Sequence, residues 1–360
     1  MKTIWFLPLE PLHQRYTEQM YRWVVASLRQ VGLPFRIVQG GKGYDRIKHG
    51  QWLDTSKTTI WKLKQLAALS ESIASGDLKK GDLVLLGDVW MPGIEAIKFQ
   101  SDLLGLDIKI GGWHYAGCFD HFDFLAKGLG SWGPKYEQAL VEGVLDSVCF
   151  GSPFHKAFVE RHCRLPRHAS TEGLAWDHYE VAAYAVTAPK PKPIVAFTHR
   201  WAAEKRHGEF LRLARSHKGK RIQFVISTNG EATPEMIAEA AAWNCRIVQH
   251  KTKADYYKWL ATVRIMWSGA DQETFGYSFM ESVALGRKVV APMRACYPDH
   301  FTRLGIDPAD WLYNDRDPFG AGMLHRAMTY KNECIVPAEV SLQYHNAHDR
   351  YIRQFVEACA

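Results

Sequence analysis

Ala188-Pro-Lys-Pro-Lys-Pro193 runs directly into Ile194-Val-Ala-Phe197. Three prolines at alternate positions fix φ, remove backbone donors and push the residues before them toward extended backbone, so the stretch cannot be helix. The apolar run behind it reads as a short buried strand. Upstream, Thr3–Leu7, Arg36–Val38, Leu83–Leu86, Ile108–Ile110 and Val148–Phe150 read as strands, with amphipathic stretches such as Tyr16–Val31 and Ile60–Ser75 between them. The same alternation starts again after the prolines. Ile194–Phe197, Gln223–Ile226, Ile247–Gln249, Ile265–Trp267 and Lys288–Ala291 are the strands there, and Glu204–Ser216, Pro234–Trp243, Asp255–Ala261 and Phe279–Leu285 the helices. Helical text returns at Gly322–Tyr330 and Leu342–Ala358. Short apolar runs alternating with helices predict parallel sheets covered on both faces. The expected architecture is α/β, with two doubly wound Rossmann-like domains facing a central cleft. Residues 1–188 are expected to form the first domain, 189–193 the linker and 194–335 the second domain. Residues 336–360 form a C-terminal helix placed to pack back on the first domain.

Composition narrows the function classes. The chain has 360 residues, 47% hydrophobic and 23% charged, which suits about two globular domains and excludes a disordered polymer. No apolar run reaches the roughly 18 residues of a membrane span. Met1–Leu9 carries one lysine and an apolar run broken by Pro8, so it reads as a first strand rather than a leader. The seven cysteines are scattered and never form a CxxC pair, which fits a reducing cytoplasm better than a disulfide framework or a zinc site. The net charge of +7 is concentrated locally: Arg200 to Arg221 holds eight Lys or Arg against two Glu. Such a run suits a polyanion, whether nucleotide phosphate or nucleic acid, or else forms a solvated helix face.

Chemistry in open parallel sheets collects at strand carboxyl ends, where helix N-termini offer backbone N–H groups. Thr198-His-Arg-Trp-Ala-Ala-Glu-Lys205 follows the first strand of the second domain. Arg200 can clamp phosphate oxygens in a fork and Lys205 adds a point charge. Glu273-Thr-Phe-Gly-Tyr-Ser-Phe-Met-Glu281 follows the strand Ile265–Trp267. Gly276 allows close backbone approach, Ser278 is an expected N-cap, and the two carboxylates can accept hydrogen bonds from sugar or ribose hydroxyls.

These residues resemble a family. Glu273 and Glu281 reproduce the E-x7-E pattern of family-4 retaining glycosyltransferases, which have the two-Rossmann GT-B fold. The resemblance spans residues 194 to 301. It is greatest to the queuosine-tRNA mannosyltransferase-like group, which has a similar His-Arg-Trp-x-x-[Asp/Glu]-Lys segment, then Glu-x-Phe-Gly, then Tyr-Pro-[Glu/Asp]-x-Phe. Here these are His199-Arg200-Trp201 with Glu204-Lys205, Glu273 to Gly276, and Tyr297-Pro298-Asp299-His300-Phe301. The resemblance implies that Arg200 and Lys205 bind the donor diphosphate and offset leaving-group charge. It implies that Glu281 holds the ribose and that Glu273 contacts the donor sugar, with the backbone of Phe275, Gly276, Tyr277 and Ser278 facing sugar and phosphates. Arg246 to His250 would lie near the nucleobase.

The first domain departs from that pattern. In place of a glycine-rich loop it has Pro8-Leu-Glu-Pro-Leu-His-Gln-Arg-Tyr-Thr-Glu-Gln19, similar to the N-terminus of phage-type glycosyltransferases associated with DNA base hypermodification. His13, Arg15 and Tyr16 are acceptor or phosphate candidates. Gly111-Gly-Trp-His-Tyr-Ala-Gly-Cys-Phe-Asp-His-Phe-Asp123 follows another strand. His114 there resembles the histidine by which relatives contact donor sugar or acceptor hydroxyl; holding the loop is its alternative role. Asp120 and Asp123, and Asp88 after Leu83–Leu86, are candidates to orient an acceptor hydroxyl.

Two literal motif matches are rejected. Gly128-Leu-Gly-Ser-Trp-Gly133 fits G-x-G-x-x-G but follows no strand. Asp315-Arg-Asp317 fits the metal-binding D-x-D but sits before Pro318, where capping residues are expected. No metal is expected.

The function implied is a retaining hexosyl- or pentosyltransferase using a UDP- or GDP-sugar as co-substrate, with no other cofactor. The positive charge and the basic segment Lys156–Arg167 point to a nucleic-acid base as acceptor; some of the tryptophans Trp52, Trp61, Trp90, Trp113 and Trp132 could stack an extruded base, though each taken singly reads more readily as a core residue. A 5-hydroxymethylpyrimidine in DNA, flipped from the duplex, is placed ahead of queuosine in tRNA. A glycan or small-molecule transferase and a non-catalytic nucleic-acid-binding module are the alternatives. The expected location is the cytoplasm, that of a host cell if the gene is phage-borne.

Overall fold

The computed structural model describes residues 2–13, 15–41, 54–228, 232–314, 316–329 and 338–359. Trp52 and Asp315 lie outside them. The chain divides into two compact units, Met1–Trp176 with Asn346–Ala360, and Asp177–His345.

In the first unit β1 (Ile4–Leu7), β2 (Phe35–Ile37), β3 (Leu83–Leu86), β4 (Lys109–His114), β5 (Ser147–Phe150) and β6 (His168–Ser170) form one parallel sheet in the order β2-β1-β3-β4-β5-β6. Every residue of β1, β3 and β5 is buried, the consequence of helices covering both faces. The buried Asp82 carboxylate accepts from Thr3 N (2.8 Å), Lys79 N (2.9 Å) and Trp5 Nε1 (3.0 Å), which fixes the start of β1 against β3. β4 runs further than its apolar text suggested, through Gly111 and Gly112. A side chain on Gly112 would meet the Leu86 carbonyl at 2.5 Å, and one on Gly111 would meet the Phe355 ring at 2.9 Å. These glycines extend the strand by close packing rather than ending it in a turn. β6 has no apolar signal; all three of its residues are partly exposed. The helix Ala347–Ala358 packs against Tyr16–Val31 and buries Tyr351 and Phe355 on the sheet, Tyr351 edge-on to Trp113 at 5.1 Å.

In the second unit β7 (Ile194–Phe197), β8 (Gln223–Thr228), β9 (Cys245–Gln249), β10 (Ile265–Trp267) and β11 (Lys288–Val290) form a parallel sheet ordered β11-β10-β7-β8-β9. The helix His178–Val186 belongs to this unit, as does the proline run, where Lys192 N donates to Thr262 O (2.8 Å) just before β7.

Strand order sets where ligands can enter. In the second unit the chain leaves β7 toward β8 and β9, then returns to lay β10 and β11 on the other side. In the first unit the reversal lies between β1 and β3. At such a reversal the loops after the two central strands diverge and leave a crevice at their carboxyl ends.

Candidate active site

At the reversal in the second unit, the loop after β7 carries Thr198 to Lys205 and the loop after β10 carries Ser268 to Gly276. Lys205 ends a short 3-10 turn, Ala203–Lys205, and its side chain is only 6% exposed. Its ammonium lies 2.9 Å from Glu273 Oε1 and 3.2 Å from Gln272 Oε1, and also donates to the Gln272 carbonyl. Burial alone would raise the Glu273 carboxyl, but Lys205 and His199 outweigh it and hold the group down at about 2. Glu273 is therefore a carboxylate at neutral pH. Arg200 is half-exposed and paired with the buried Glu204 at 3.2 Å, which leaves its guanidinium accessible to a ligand.

Gly276 adopts φ 72° and ψ 59°, the left-handed region, and caps the helix Tyr277–Ala284. Ser278 is thus not the N-cap expected from sequence. It sits inside the first turn, and its hydroxyl donates to the Thr198 carbonyl (3.1 Å), tying the two loops together. Phe275 is buried, packed near Tyr277, Tyr344 and His300. Its carbonyl accepts from His300 Nε2 at 3.1 Å.

Glu281 is buried and already engaged: Lys253 Nζ (2.8 Å) and Tyr257 OH (2.9 Å) donate to Oε1, and Tyr256 OH (3.1 Å) to Oε2. A carboxylate offers about four acceptor positions, so one on Oε2 remains for a ribose hydroxyl. Sequence reasoning missed Lys253, Tyr256 and Tyr257. Their signal was the i, i+3, i+4 spacing on one helix face, which begins at the Thr252 cap. Arg246 to His250 close β9, and burial lowers the His250 imidazole, which packs on Trp259 at 4.9 Å.

Three of the eight basic residues of the run, Arg200, Lys205 and Arg206, are paired with carboxylates. Arg206 is pinned by Asp271 (2.6 Å) and Glu209 (2.7 Å), while Arg212 and Arg215 lie over the Phe319 and Trp243 rings. Lys218, Lys220 and Arg221 are exposed.

The candidates of the first unit do not gather in the same way. His114 ends β4 fully buried, with Nε2 2.9 Å from Glu137 Oε1 and its ring against His155 at 4.9 Å. Asp88 follows β3, accepts from Trp90 N (3.2 Å) and sits 3.7 Å from Lys62; burial raises its carboxyl against the pull of that lysine. Asp120 closes a turn by accepting from Phe122 N (2.9 Å), and Asp123 caps Phe124–Leu129 by accepting from Leu125 N (2.8 Å). His13 is 71% exposed beside Glu18. Arg15 precedes the helix Tyr16–Val31, its guanidinium lowered by burial, and Tyr16 packs 6.0 Å from Tyr115.

Of the four described tryptophans proposed as stacking surfaces, Trp61, Trp90 and Trp113 are core residues and only Trp132 is exposed. This corrects the expectation of an aromatic platform. Apolar area dominates the placement of indole rings, and the strands and helices bury it. Lys156, Arg164 and Arg167 line an open pocket of about 410 Å³ just ahead of β6, at the amino end of the strands. Asp317 accepts from Gly322 N and Met323 N (2.8 and 2.9 Å), a capping role. Among the described residues no cluster of His, Cys, Asp or Glu is gathered to hold a metal ion, and no helix is long and apolar enough to cross a membrane.

No protein-family model matches this chain. Solved structures do. The lipopolysaccharide outer core galactosyltransferase WaaB, in its apo form, superposes with a TM-score of 0.66 at 15% identity over 99% of each chain. Sucrose-phosphate synthase from Thermosynechococcus elongatus gives 0.65 at 13% identity, covering 98% of this chain and 94% of its own. Anabaena HepE, in complex with UDP and glucose, gives 0.64 at 9% identity, covering 99% of this chain and all of its own. At such identities the likeness establishes the fold, and the fold is GT-B, built from two parallel-sheet α/β units.

Proposed function

We propose that this chain is a glycosyltransferase that moves a sugar from a nucleotide-sugar donor, a UDP-sugar before a GDP-sugar, to an acceptor hydroxyl. One observation carries the reading: Arg200, Lys205, Glu273, Glu281 and the N-terminus of Tyr277–Ala284 converge at the reversal of a single sheet. Two cations and a helix N-terminus suit a diphosphate and offset the charge that grows on it as the glycosidic bond breaks. Glu281 takes a ribose hydroxyl through Oε2, and Glu273 takes hydroxyls of the sugar. The solved complex of HepE with UDP and glucose supports this choice of donor. Retention of anomeric configuration follows the E-x7-E resemblance. In that chemistry the acceptor attacks from the face the diphosphate leaves, and the departing phosphate helps to remove its proton. His114 remains a proposed contact to sugar or acceptor, held in place by Glu137.

The acceptor best supported is a glycan or other sugar hydroxyl, the chemistry named for sucrose-phosphate synthase and WaaB. The nucleic-acid acceptor keeps as support the +7 charge and the exposed Lys218, Lys220 and Arg221, but not the buried tryptophans. The test is incubation with UDP- and GDP-sugars and a panel of glycans, hydroxymethylated DNA, unmodified DNA and queuosine tRNA, read by mass spectrometry. Slow release of free sugar from a UDP-sugar and a hexose- or pentose-sized gain on a glycan are expected. A gain confined to hydroxymethylated DNA or queuosine tRNA would overturn the acceptor assignment, and no sugar release from any donor would overturn the activity itself.

A further inference from the structure

The three sequence segments around the donor site meet at one buried side chain, His199. Its ring is 6% exposed, with Nδ1 3.3 Å from Glu273 Oε1 and Nε2 2.8 Å from Ser268 Oγ. Ser268 Oγ in turn lies 2.7 Å from Tyr297 OH and accepts from Ala270 N at 3.2 Å. The donors and acceptors in this chain can be ordered in only one way that satisfies them all. Glu273 is an acceptor, so the nitrogen facing it must carry hydrogen. Burial, together with Lys205 and Arg200, lowers the His199 imidazole despite the opposing pull of Glu273, so the ring is neutral at pH 7 and Nε2 is a bare lone pair. That lone pair needs a donor, and Ser268 O–H supplies it. The serine oxygen then accepts from Tyr297 O–H and Ala270 N–H, which fills both of its lone pairs. Tyr297 keeps its proton because burial holds its phenol well above the ordinary value.

We propose that Glu273 at Nδ1 and Tyr297, acting through Ser268 at Nε2, together lock His199 in the Nδ1–H tautomer, and that this ordered chain in turn positions the Glu273 carboxylate for the hydroxyls of the donor sugar. The last link rests on the function proposed above. His199 and Lys205 both engage Oε1 of Glu273, so the chain sets the rotation of the carboxylate and leaves Oε2 for the sugar. His199 is a positioning residue here, acting on the sugar through Glu273 and having no part in gripping the nucleotide.

The experiment uses the full chain with ¹⁵N-labelled histidine, His199 being assigned by the signals lost in His199→Gln. At neutral pH the wild type is expected to show a neutral ring with hydrogen on Nδ1 alone. Ser268→Ala and Tyr297→Phe should each disturb that pattern. Each should also lower kcat for donor hydrolysis about tenfold, the worth of one hydrogen bond to a charged group, with UDP affinity within about twofold of wild type. Tyr297→Phe keeps the ring and serves where Ser268→Ala does not fold. Hydrogen on Nε2 in the wild type would overturn the proposal, as would an Nε2 signal indifferent to both variants or equal losses of UDP binding and turnover. A wild type with the Nδ1–H tautomer that hydrolyses no donor refutes the functional reading and the last link, and leaves the tautomer lock standing.

Discussion

Both units reverse their strand order beside a central strand, yet the two crevices are built differently. In the second unit, cations and carboxylates from segments far apart in sequence are brought into direct contact, Lys205 with Glu273 and Lys253 with Glu281, while Arg200 pairs with Glu204 four residues on in its own loop. In the first unit Asp120 and Asp123 serve their own loops as a turn and a cap, while His114 pairs with Glu137 and Asp88 with Lys62 from other segments. Concentrated, desolvated charge marks a place where a charged ligand is expected to bind and react. A loop stabilised by its own carboxylates carries no such mark.

The sharpest way to break this contrast is Lys205→Ala. It removes a cation proposed to bind the diphosphate and leaves a buried carboxylate beside His199. We expect stability to fall by about 3–5 kcal/mol in urea unfolding. Donor hydrolysis should drop by about 10²–10³-fold. The pH dependence of Glu273 follows from its depressed carboxyl. A carboxyl at about 2 in the folded state contributes stability that is complete above the ordinary carboxylate range and is lost as pH falls through about 2. Glu273→Gln should thus weaken the protein at pH 7 and narrow its gap to wild type between about pH 4.5 and 2, followed by denaturant midpoints across that window.

Arg200→Ala separates function from stability. The guanidinium is about half-exposed, so unfolding should change by no more than about 0.5 kcal/mol, while donor turnover falls about 100-fold. Near-normal turnover would remove its assigned role. The smallest effects belong to the first unit. Asp123→Ala loses a helix cap worth about 1 kcal/mol, and His13→Ala should stay within about 0.5 kcal/mol of wild type, both read by thermal unfolding.

How much of this was legible depends on where the information lies. Buried parallel strands announce themselves as short apolar runs, so β1, β3, β5, β7 and β10 could be read directly from sequence. β6 is a polar edge strand, and β4 continues through two glycines whose purpose is to let Leu86 and Phe355 approach. Arg200, Lys205, Glu273 and Glu281 were singled out by two short motifs that follow β7 and β10, and the roles proposed for them rest on that reading. The His199–Ser268–Tyr297 chain was not, since its partners are 69 and 29 residues apart and a serine hydroxyl has no pattern of its own. Ser278 was misread as a cap because Gly276 takes the left-handed turn that starts the helix two residues earlier than a serine cap would require. The tryptophans read singly as core residues, and Trp61, Trp90 and Trp113 are; which one, Trp132, stays in solvent is not separable from sequence alone.

The central claim is that the loops after β7 and β10 grip a nucleotide diphosphate. Its most direct test is a crystal structure of the protein soaked with a UDP-sugar. The account predicts the diphosphate between Arg200 and Lys205, the ribose at Glu281 and the sugar at Glu273. A donor bound elsewhere, with those four side chains untouched, would contradict it.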